Sequence, residues 1–343
     1  MKGWSLGGIL VSLVGGLVII FLTLTRLPGA VFQAAPPPEP AGWSIFRPPS
    51  DVYALAIGSG SLWAGGKDGV MRLDLHAPLG KAFEAVLCDQ KLEYVRALLV
   101  DEDGTLWIGH DQGLSRKDAS GCVTLTEKDG LPDKRVNALL RDRQGQLWVG
   151  TWGGAAVLSG GTWRVLGKKD GLLVDMVNVM MQDNQGAMWF GSMVAPQGGV
   201  SIWSNGRWQY LTTANGLPHN NVQGLAQDRQ GAVWVATGLL ERGGTARLEQ
   251  SGAQWRVAQV FDSQTGLAGN KGRSLLVDTT GRVWVGSEYD GLARQTTAGW
   301  EVLTTKDGLS QNEIKVMKQD ESGNLWIGTR DGLTRIDYQA LTQ

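Results

Sequence analysis

Six short acidic turns are the first residues in this sequence whose type and spacing could do chemistry. Each has the pattern Asp-x-x-Gly, and the most acidic copy is Asp101-Glu102-Asp103-Gly104. A calcium loop of the EF-hand type uses about twelve residues ending in a bidentate Glu, and the other copies place Arg, Gln or Thr where ligands would be needed. The pattern therefore predicts a tight turn, in which Asp bonds its own backbone and Gly adopts positive φ, rather than a metal site.

The same turns mark a repeat that fixes the fold class. Each turn continues as Asp-x-x-Gly-x-apolar-Trp, and successive tryptophans are 44, 41, 41, 45, 50 and 42 residues apart. This period suits one four-stranded blade, with strand a before the turn, Trp in strand b, a second glycine opening strand c, and usually another Trp in strand d. We predict an all-β, seven-bladed β-propeller. Its copies are Ile57 to Trp63, which lacks the Asp, and Asp101 to Trp107, Asp142 to Trp148, Asp183 to Trp189, Asp228 to Trp234, Asp278 to Trp284 and Asp320 to Trp326.

The two ends of the repeat region predict how the ring closes. The seventh repeat stops after strand c, at Leu333-Thr334-Arg335-Ile336-Asp337, without a Trp-bearing strand d. The segment Ala41 to Phe46 matches the strand d segment Ala298 to Leu303. We therefore expect the N-terminal segment to be the outer strand of the last blade, which removes an exposed sheet edge.

The histidines and cysteines do not assemble into a reactive group on this framework. His110 and His219 fall in loops of nearly opposite blades, and His76 belongs toward the other face, so we expect no zinc site and no base catalysis. Cys122 stands where most blades have the outer Trp, and Cys88 lies in a connection that we place at the opposite end of the blade. A disulfide needs Cα atoms within about 7 Å, so the sequence predicts two free thiols. No cofactor is expected.

The first 40 residues differ in kind from the repeats. Between Lys2 and Arg26 lie 23 uncharged residues, enough for a helix that spans a bilayer core of roughly 30 Å. We predict a cytoplasmic N-terminus at residues 1–4, a transmembrane signal-anchor helix at 5–25, a Pro-rich linker at 26–40 and the propeller at 41–343; a cleavable signal is the alternative. The positive charge before the helix places the propeller on the extracytoplasmic side.

Overall charge excludes one class of partner. With 32 Lys plus Arg against 33 Asp plus Glu, the net charge is −1. Nothing therefore draws the chain as a whole to nucleic-acid phosphates, and we predict no nucleic-acid partner.

Two strings resemble the two-component regulator propeller repeat. They are Lys128-Asp129-Gly130-Leu131-Pro132 followed by Asp142 to Trp148, and Lys306-Asp307-Gly308-Leu309 followed by Asp320 to Thr329. The chain is similar to the extracytoplasmic sensor region of hybrid histidine kinases, here without a kinase. The resemblance implies a propeller that binds a ligand outside the cytoplasm and passes a signal through a membrane helix.

Residues that break the repeat are the candidates for a specific function. From each strand-b Trp to the glycine that opens strand c there are 6, 6, 6, 10, 10, 7 and 6 residues, so blades 4 and 5 carry lengthened b–c loops at Met193 to Gln197 and Leu239 to Arg242. Loops on a rigid scaffold often carry function, although drift in tolerant loops gives the same pattern. We predict ligand or partner contacts at Lys67, His110, Trp152, Met193, Gln197, Leu240, Arg242, Tyr289 and Arg330, with no catalytic residue and no metal.

The mixed charges and aromatics of these residues suit a neutral polar ligand such as a glycan, or a protein surface. The leading hypothesis is a membrane-anchored sensory or accessory module. A structural scaffold subunit of a membrane protein complex is the alternative, and a polysaccharide lyase or hydrolase is a third class.

Overall fold

A computed structural model gives the arrangement of residues 9–14, 17–22, 39–77, 83–88 and 90–341. The chain divides into two units, residues 1–38 and residues 39–343. The described residues of the second unit form seven four-stranded antiparallel sheets. The predicted all-β, seven-bladed propeller is therefore confirmed.

Each blade takes its strands a, b, c and d in chain order, apart from the last. Blade 1 contains β4 (Val52–Gly58), β5 (Ser61–Gly66), β6 (Gly69–Asp74) and β7 (Glu84–Val86); blade 2, β8 (Ala97–Val100), β9 (Leu106–His110), β10 (Gly113–Asp118) and β11 (Gly121–Leu125); blade 3, β12 (Val136–Arg141), β13 (Leu147–Thr151), β14 (Gly154–Ser159) and β15 (Thr162–Leu166); blade 4, β16 (Val179–Gln182), β17 (Met188–Ser192), β18 (Gly199–Ser204) and β19 (Arg207–Leu211).

The remaining blades follow the same order. Blade 5 contains β20 (Val222–Gln227), β21 (Val233–Leu239), β22 (Arg242–Ser251) and β23 (Gln254–Phe261); blade 6, β24 (Gly272–Val277), β25 (Val283–Ser287), β26 (Leu292–Thr296) and β27 (Gly299–Leu303); blade 7, β28 (Ile314–Gln319), β29 (Leu325–Thr329), β30 (Gly332–Ile336) and β3 (Trp43–Phe46). Four d–a connectors contain 3-10 turns at Glu127–Asp129, Lys168–Asp170, Thr213–Asn215 and Ser263–Thr265, and α1 (Tyr338–Leu341) follows β30.

The predicted transmembrane helix is not confirmed. Within residues 5–25, the structure describes β1 (Ile9–Val14) and β2 (Leu17–Leu22), which pair as antiparallel strands. The other residues of that range, and the predicted segments 1–4 and 26–38, lie outside the described residues. No helix in the described part of the chain is long and apolar enough to cross a bilayer.

Ring closure follows the predicted pairing. Trp43 lies opposite Ile336 and Phe46 opposite Leu333 in the antiparallel pair of β3 and β30. The Phe46 ring packs 5.5 Å from that of Trp326 in the same blade, measured between ring centroids. The N-terminal strand therefore completes the last sheet and contributes to its hydrophobic core.

The Asp of each a–b turn does more than form the turn. In blades 3 to 7 one carboxylate oxygen accepts backbone N–H groups of the turn, as Asp142 does from Gln144 and Gln146. The other accepts the indole N–H of the strand-b Trp, at 2.8–2.9 Å in six blades. In blade 1 the a–b turn is shorter, Gly58 lies opposite Ser61 where the other blades have the turn Asp, and the buried indole N–H of Trp63 has no partner among the described residues. The turn residue and the core residue of the repeat are thus one hydrogen-bonded unit.

This difference between blades gives a matched prediction. Trp148→Phe leaves the buried Asp142 carboxylate without one donor, which we expect to destabilise the protein by about 1.5–3 kcal/mol beyond the lost packing. Trp63→Phe removes the same atoms but no hydrogen bond, and it removes an unsatisfied donor. Urea unfolding of both variants measures the difference. Equal losses for the two would show that the indole–carboxylate bond contributes nothing.

The predicted free thiols are wrong, because Cys88 and Cys122 form a disulfide with their Cα atoms 5.4 Å apart. The reason is the path of the d–a connector, which lies beside strand d of the next blade. At four seams between blades, a Cβ added at the connector glycine would lie 2.1–3.2 Å from the strand-d Trp of the next blade, at Gly130–Trp163, Gly171–Trp208, Gly266–Trp300 and Gly308–Trp43. Cys122 replaces that Trp between blades 1 and 2, so a covalent bond stands in for the contact.

Candidate functional site

A ring of polar residues surrounds the central axis where the inner strands begin. The seven inner strands contact one another around the axis. At or just before the start of each inner strand, a buried residue is followed by a polar residue. We call the end of the channel formed by the b–c loops and the d–a connectors the upper mouth. The polar ring consists of Tyr53, Arg96, Asn137, Asn178, Gln223, Arg273 and Lys315.

A β-bulge explains why these side chains leave the sheet. In five blades the pairing of strands a and b skips the ring residue, as between Val136 and Ala138 or between Ile314 and Val316. A bulge leaves one residue unpaired and redirects its side chain. Arg96 and Asn178 lie immediately before their strands and donate their backbone N–H to Gly109 and Gly191, at 2.9 and 2.8 Å.

Blades 6, 7 and 1 contribute a chain of ion pairs to the ring. Lys271 and Arg273 both contact the Glu288 carboxylate, at 2.7 and 2.5 Å, and Arg273 also lies 3.1 Å from Glu313. Lys315 bridges Glu313 and Asp51. The members of this chain therefore neutralise one another.

Tyr53 ends the chain. Its hydroxyl donates a 2.9 Å hydrogen bond to Asp51, and the Lys315 ammonium lies 4.2 Å from the centre of its ring. Burial, together with the bond to Asp51, raises the pKa of Tyr53 to about 12. Burial also acts to raise the pKa of Asp51, but hydrogen bonds from Lys315 and Tyr53 outweigh it and lower that pKa. Tyr53 is therefore a neutral hydrogen-bonding group at physiological pH.

Blades 2 and 3 add two arginine–aromatic pairs. Arg96 binds Asp111 through two nitrogens, and its guanidinium lies 5.9 Å from the ring centre of Tyr94. Burial is the largest effect on the pKa of Arg96 and lowers it.

Arg135 repeats this arrangement. It binds Asp133 through two nitrogens and stacks 4.3 Å from the ring centre of Trp152. The Trp152 indole donates to the Asn137 amide at 3.2 Å and remains 40% exposed. Arg135 and Asn137 thus hold the Trp152 ring in place, and part of this ring is open to solvent.

Blades 3 to 5 form the uncharged part of the ring. The amides of Asn137 and Asn178 each donate to a backbone carbonyl of the next blade, at Val177 and Val222, both at 3.2 Å. The Gln223 amide donates to Asn221. These bonds fix the amide groups in place, so this arc presents oriented polar groups without net charge.

The lengthened loops of blades 4 and 5 stand above the amide arc. Asn221 donates to the Met193 carbonyl at 2.7 Å and Asn220 to the Pro196 carbonyl at 2.5 Å, so the connector into blade 5 fixes the blade 4 loop. In blade 5 the extra residues extend β21 and β22 as a hairpin, with Leu239 opposite Arg242. At its tip Leu240 has φ +55° and is 74% exposed. The insertions are thus ordered projections at the upper mouth.

The predicted contact residues fall into three groups. Lys67, Gln197, Leu240, Arg242, Tyr289 and Arg330 are exposed on b–c loops, Trp152 is part of the mouth, and Met193 is partly buried beneath its loop. His110 is buried, with 0% of its surface exposed. Its imidazole bonds the Ser115 hydroxyl at 2.8 Å, and burial lowers its pKa to about 4.

Sequence reasoning missed the ring itself. Its signal was a single polar residue preceded by Val, Ile or Gly at the start of every inner strand, as in Val95-Arg96-Ala97 or Val136-Asn137-Ala138. Strict alternation of side chains along each inner strand would have placed these residues between blades. The site as a whole offers fixed hydrogen-bonding groups and exposed rings, which suit binding. Among the described residues, no group of His, Cys, Asp and Glu could hold a metal ion.

Comparison with known proteins gives the origin of the repeats. The two component regulator propeller family matches residues 90–112, 130–153, 216–238 and 308–331. The matched segments lie in blades 2, 3, 5 and 7. The match to this family confirms the resemblance seen in the sequence. A comparison with curated proteins gives no significant match.

Solved structures share the propeller fold at low identity. The extracellular domain of a protein described as a hybrid two component system from B. thetaiotaomicron is 21% identical with a TM-score of 0.73, and the match covers 86% of this chain and 41% of that one. A catalytically inactive virginiamycin B lyase from Staphylococcus aureus with quinupristin is 14% identical with a TM-score of 0.65, and the match covers 86% of this chain and 99% of that one. PorZ, a surface component of the type-IX secretion system of Porphyromonas gingivalis, is 16% identical, with a TM-score of 0.64 and coverage of 84% and 46%. This chain therefore spans less than half of the first and third of these structures.

Proposed function

We propose that this propeller is an extracytoplasmic sensory module that binds a polar ligand at the upper mouth. The observation that carries the proposal is the polar ring, with one oriented polar side chain from every blade at the same level of the channel. Core packing does not require polar groups there, and bulges redirect at least five of them. The ion-pair chain of blades 6, 7 and 1 is internally neutralised, so the ring favours a ligand without net charge.

The ligand class follows from the chemistry at the mouth. Tyr94, Trp152 and Tyr289 are 39%, 40% and 60% exposed, and amide and hydroxyl groups lie inside them. Rings that stack and fixed groups that donate and accept hydrogen bonds suit a neutral glycan. Binding is favoured over catalysis, because His110 is buried and bonded, and a shared fold with a lyase carries no chemistry by itself.

Two observations support a place outside the cytoplasm. A disulfide between blades 1 and 2 persists in oxidising compartments and is rare in the cytosol. The B. thetaiotaomicron structure is an extracellular domain. With the 23 uncharged residues that follow Lys2, they favour a single-pass anchor with the propeller outside. The redox state of Cys88 and Cys122 in intact cells tests this location.

The binding proposal predicts the effect of removing the exposed ring of blade 3. A screen of neutral oligosaccharides by thermal shift should return at least one that raises the melting temperature. Trp152→Ala should weaken its binding at least tenfold, because stacking area and the indole bond to Asn137 are both lost. Isothermal titration measures the change. Tyr338→Ala is the matched control, since Tyr338 is 41% exposed and lies beside Gly323 of an a–b turn, at the other end of the propeller.

Two results would count against the proposal. One is a full screen in which no neutral oligosaccharide stabilises the protein. The other is recovery, from solubilised membranes, of a stoichiometric protein partner that is lost when the Leu239–Arg242 hairpin is shortened but not in Trp152→Ala. That result would favour a scaffold subunit, whose contact would be the exposed Leu239 and Leu240 at the hairpin tip.

A further inference from the structure

Lys318 is the single exposed residue on the seven inner strands that the structure describes. Strand β28 pairs with β29 on its outer side, and the neighbouring inner strands β24 and β4 pack against it. The remaining open side is the channel. The Lys318 side chain therefore reaches the channel, below the polar ring.

The register shows that Lys318 replaces an apolar residue. In every blade one residue of strand a lies opposite the strand-b Trp, and Lys318 lies opposite Trp326. The residues at the same position in the other blades are all apolar: Ala56, Leu99, Leu140, Met181, Ala226 and Leu276. Five of these are partly exposed, so the lower channel is largely apolar.

The Lys318 ammonium has no counter-ion among the residues that the structure describes. Within the described part of the chain it forms no hydrogen bond or ion pair. Two charged groups of the same blade are engaged elsewhere, since Asp320 accepts from Trp326 and Asn324 and Arg335 pairs with Asp337. The side chain is open to solvent, but the protein that surrounds the channel lowers the pKa of its amine. An unpaired cation in such surroundings gains more from an anion than one in water does.

We propose that the lower channel is a second binding site, which takes a small carboxylic acid with an apolar chain. The carboxylate pairs with the Lys318 ammonium, and the apolar body contacts the side chains of the other inner strands. This site is separate from the upper mouth, and its test does not depend on the ligand proposed there. The lower channel favours an anion, because Lys318 is not paired, whereas the upper mouth favours a neutral ligand, because its ion pairs neutralise one another.

The test compares hexanoate, hexan-1-ol and acetate on the full chain by ligand-observed NMR and isothermal titration. Hexanoate should bind at least tenfold more tightly than hexan-1-ol, which lacks the charge, and than acetate, which lacks the apolar body. Lys318→Met should abolish that preference, and it places in blade 7 the residue that blade 4 carries as Met181. Lys306→Met, at an exposed connector lysine, should change nothing.

The pH dependence separates a charge effect from a packing effect. Binding needs both the protonated amine and the ionised carboxylate. Hexanoate affinity should therefore be greatest near neutral pH and fall as pH rises through the Lys318 pKa, which lies below its ordinary value of 10.5. It should also fall in acid, where the carboxylate of hexanoate is protonated. Lys318→Arg should keep the affinity and lose the fall at high pH, because guanidinium stays protonated. Equal binding of hexanoate and hexan-1-ol, or unchanged hexanoate binding in a cooperatively folded Lys318→Met variant, would overturn the proposal.

Discussion

Deleting residues 41–47 should abolish cooperative folding of the propeller at 37 °C. The deletion removes β3, leaves the outer edge of β30 unpaired and takes Trp43 and Phe46 out of two hydrophobic clusters. Loss of a fully buried aromatic side chain costs about 3–5 kcal/mol. Trp43 and Phe46 are partly buried, so their loss together with that of the strand pairing removes a large part of the stability of a typical domain, roughly 5–15 kcal/mol. Circular dichroism during thermal unfolding, with size-exclusion chromatography to detect association through the open edge, measures the effect.

A peptide supplies the control for this deletion. A synthetic peptide of residues 39–50 should restore the folded signal when added to the truncated protein, because the strand needs only to reach β30 to pair. The same peptide with Ser at Trp43 and Phe46 should not restore it. A truncated protein that unfolds as cooperatively as the intact chain would show that closure of blade 7 contributes little.

Loss of the disulfide should have the next largest effect. The Cys88–Cys122 bond closes a loop with a sequence separation of 34 residues, and a bond of this kind typically contributes about 2–4 kcal/mol. We expect the Cys88→Ser, Cys122→Ser double variant to unfold at lower guanidinium concentration by this amount, while the fold is retained. Reductant should bring the wild type to the same midpoint and leave the variant unchanged.

The same bond reports location. Alkylating free thiols in intact cells before lysis should leave Cys88 and Cys122 unmodified until reductant is added. Complete alkylation without reductant would place the propeller in a reducing compartment and refute the extracytoplasmic proposal.

The repeat by itself determined the fold of this protein. Seven tryptophans at a period of 41 to 50 residues required seven equivalent packing positions, and the missing strand d after Ile336, with its match at Trp43, determined how the ring closes. Both conclusions depend on local pattern and strand count. Such information is carried along the chain, so it can be read without coordinates.

The tertiary structure decided which residues meet across blades. Cys88 and Cys122 pair because the connector of one blade lies beside strand d of the next, a path that an alignment of repeats against one another does not contain. His110 lies in a predicted loop, but packing buries it and bonds it to Ser115.

The polar ring shows the same limit. A bulge takes Asn137 and Lys315 out of the pairing of strands a and b, which strict alternation does not indicate. The sequence contained these residues at equivalent positions, but their convergence depends on closure of the ring around a common axis. For this reason the sequence determined the scaffold, whereas the site and the lone channel lysine became apparent only when the seven inner strands were placed together.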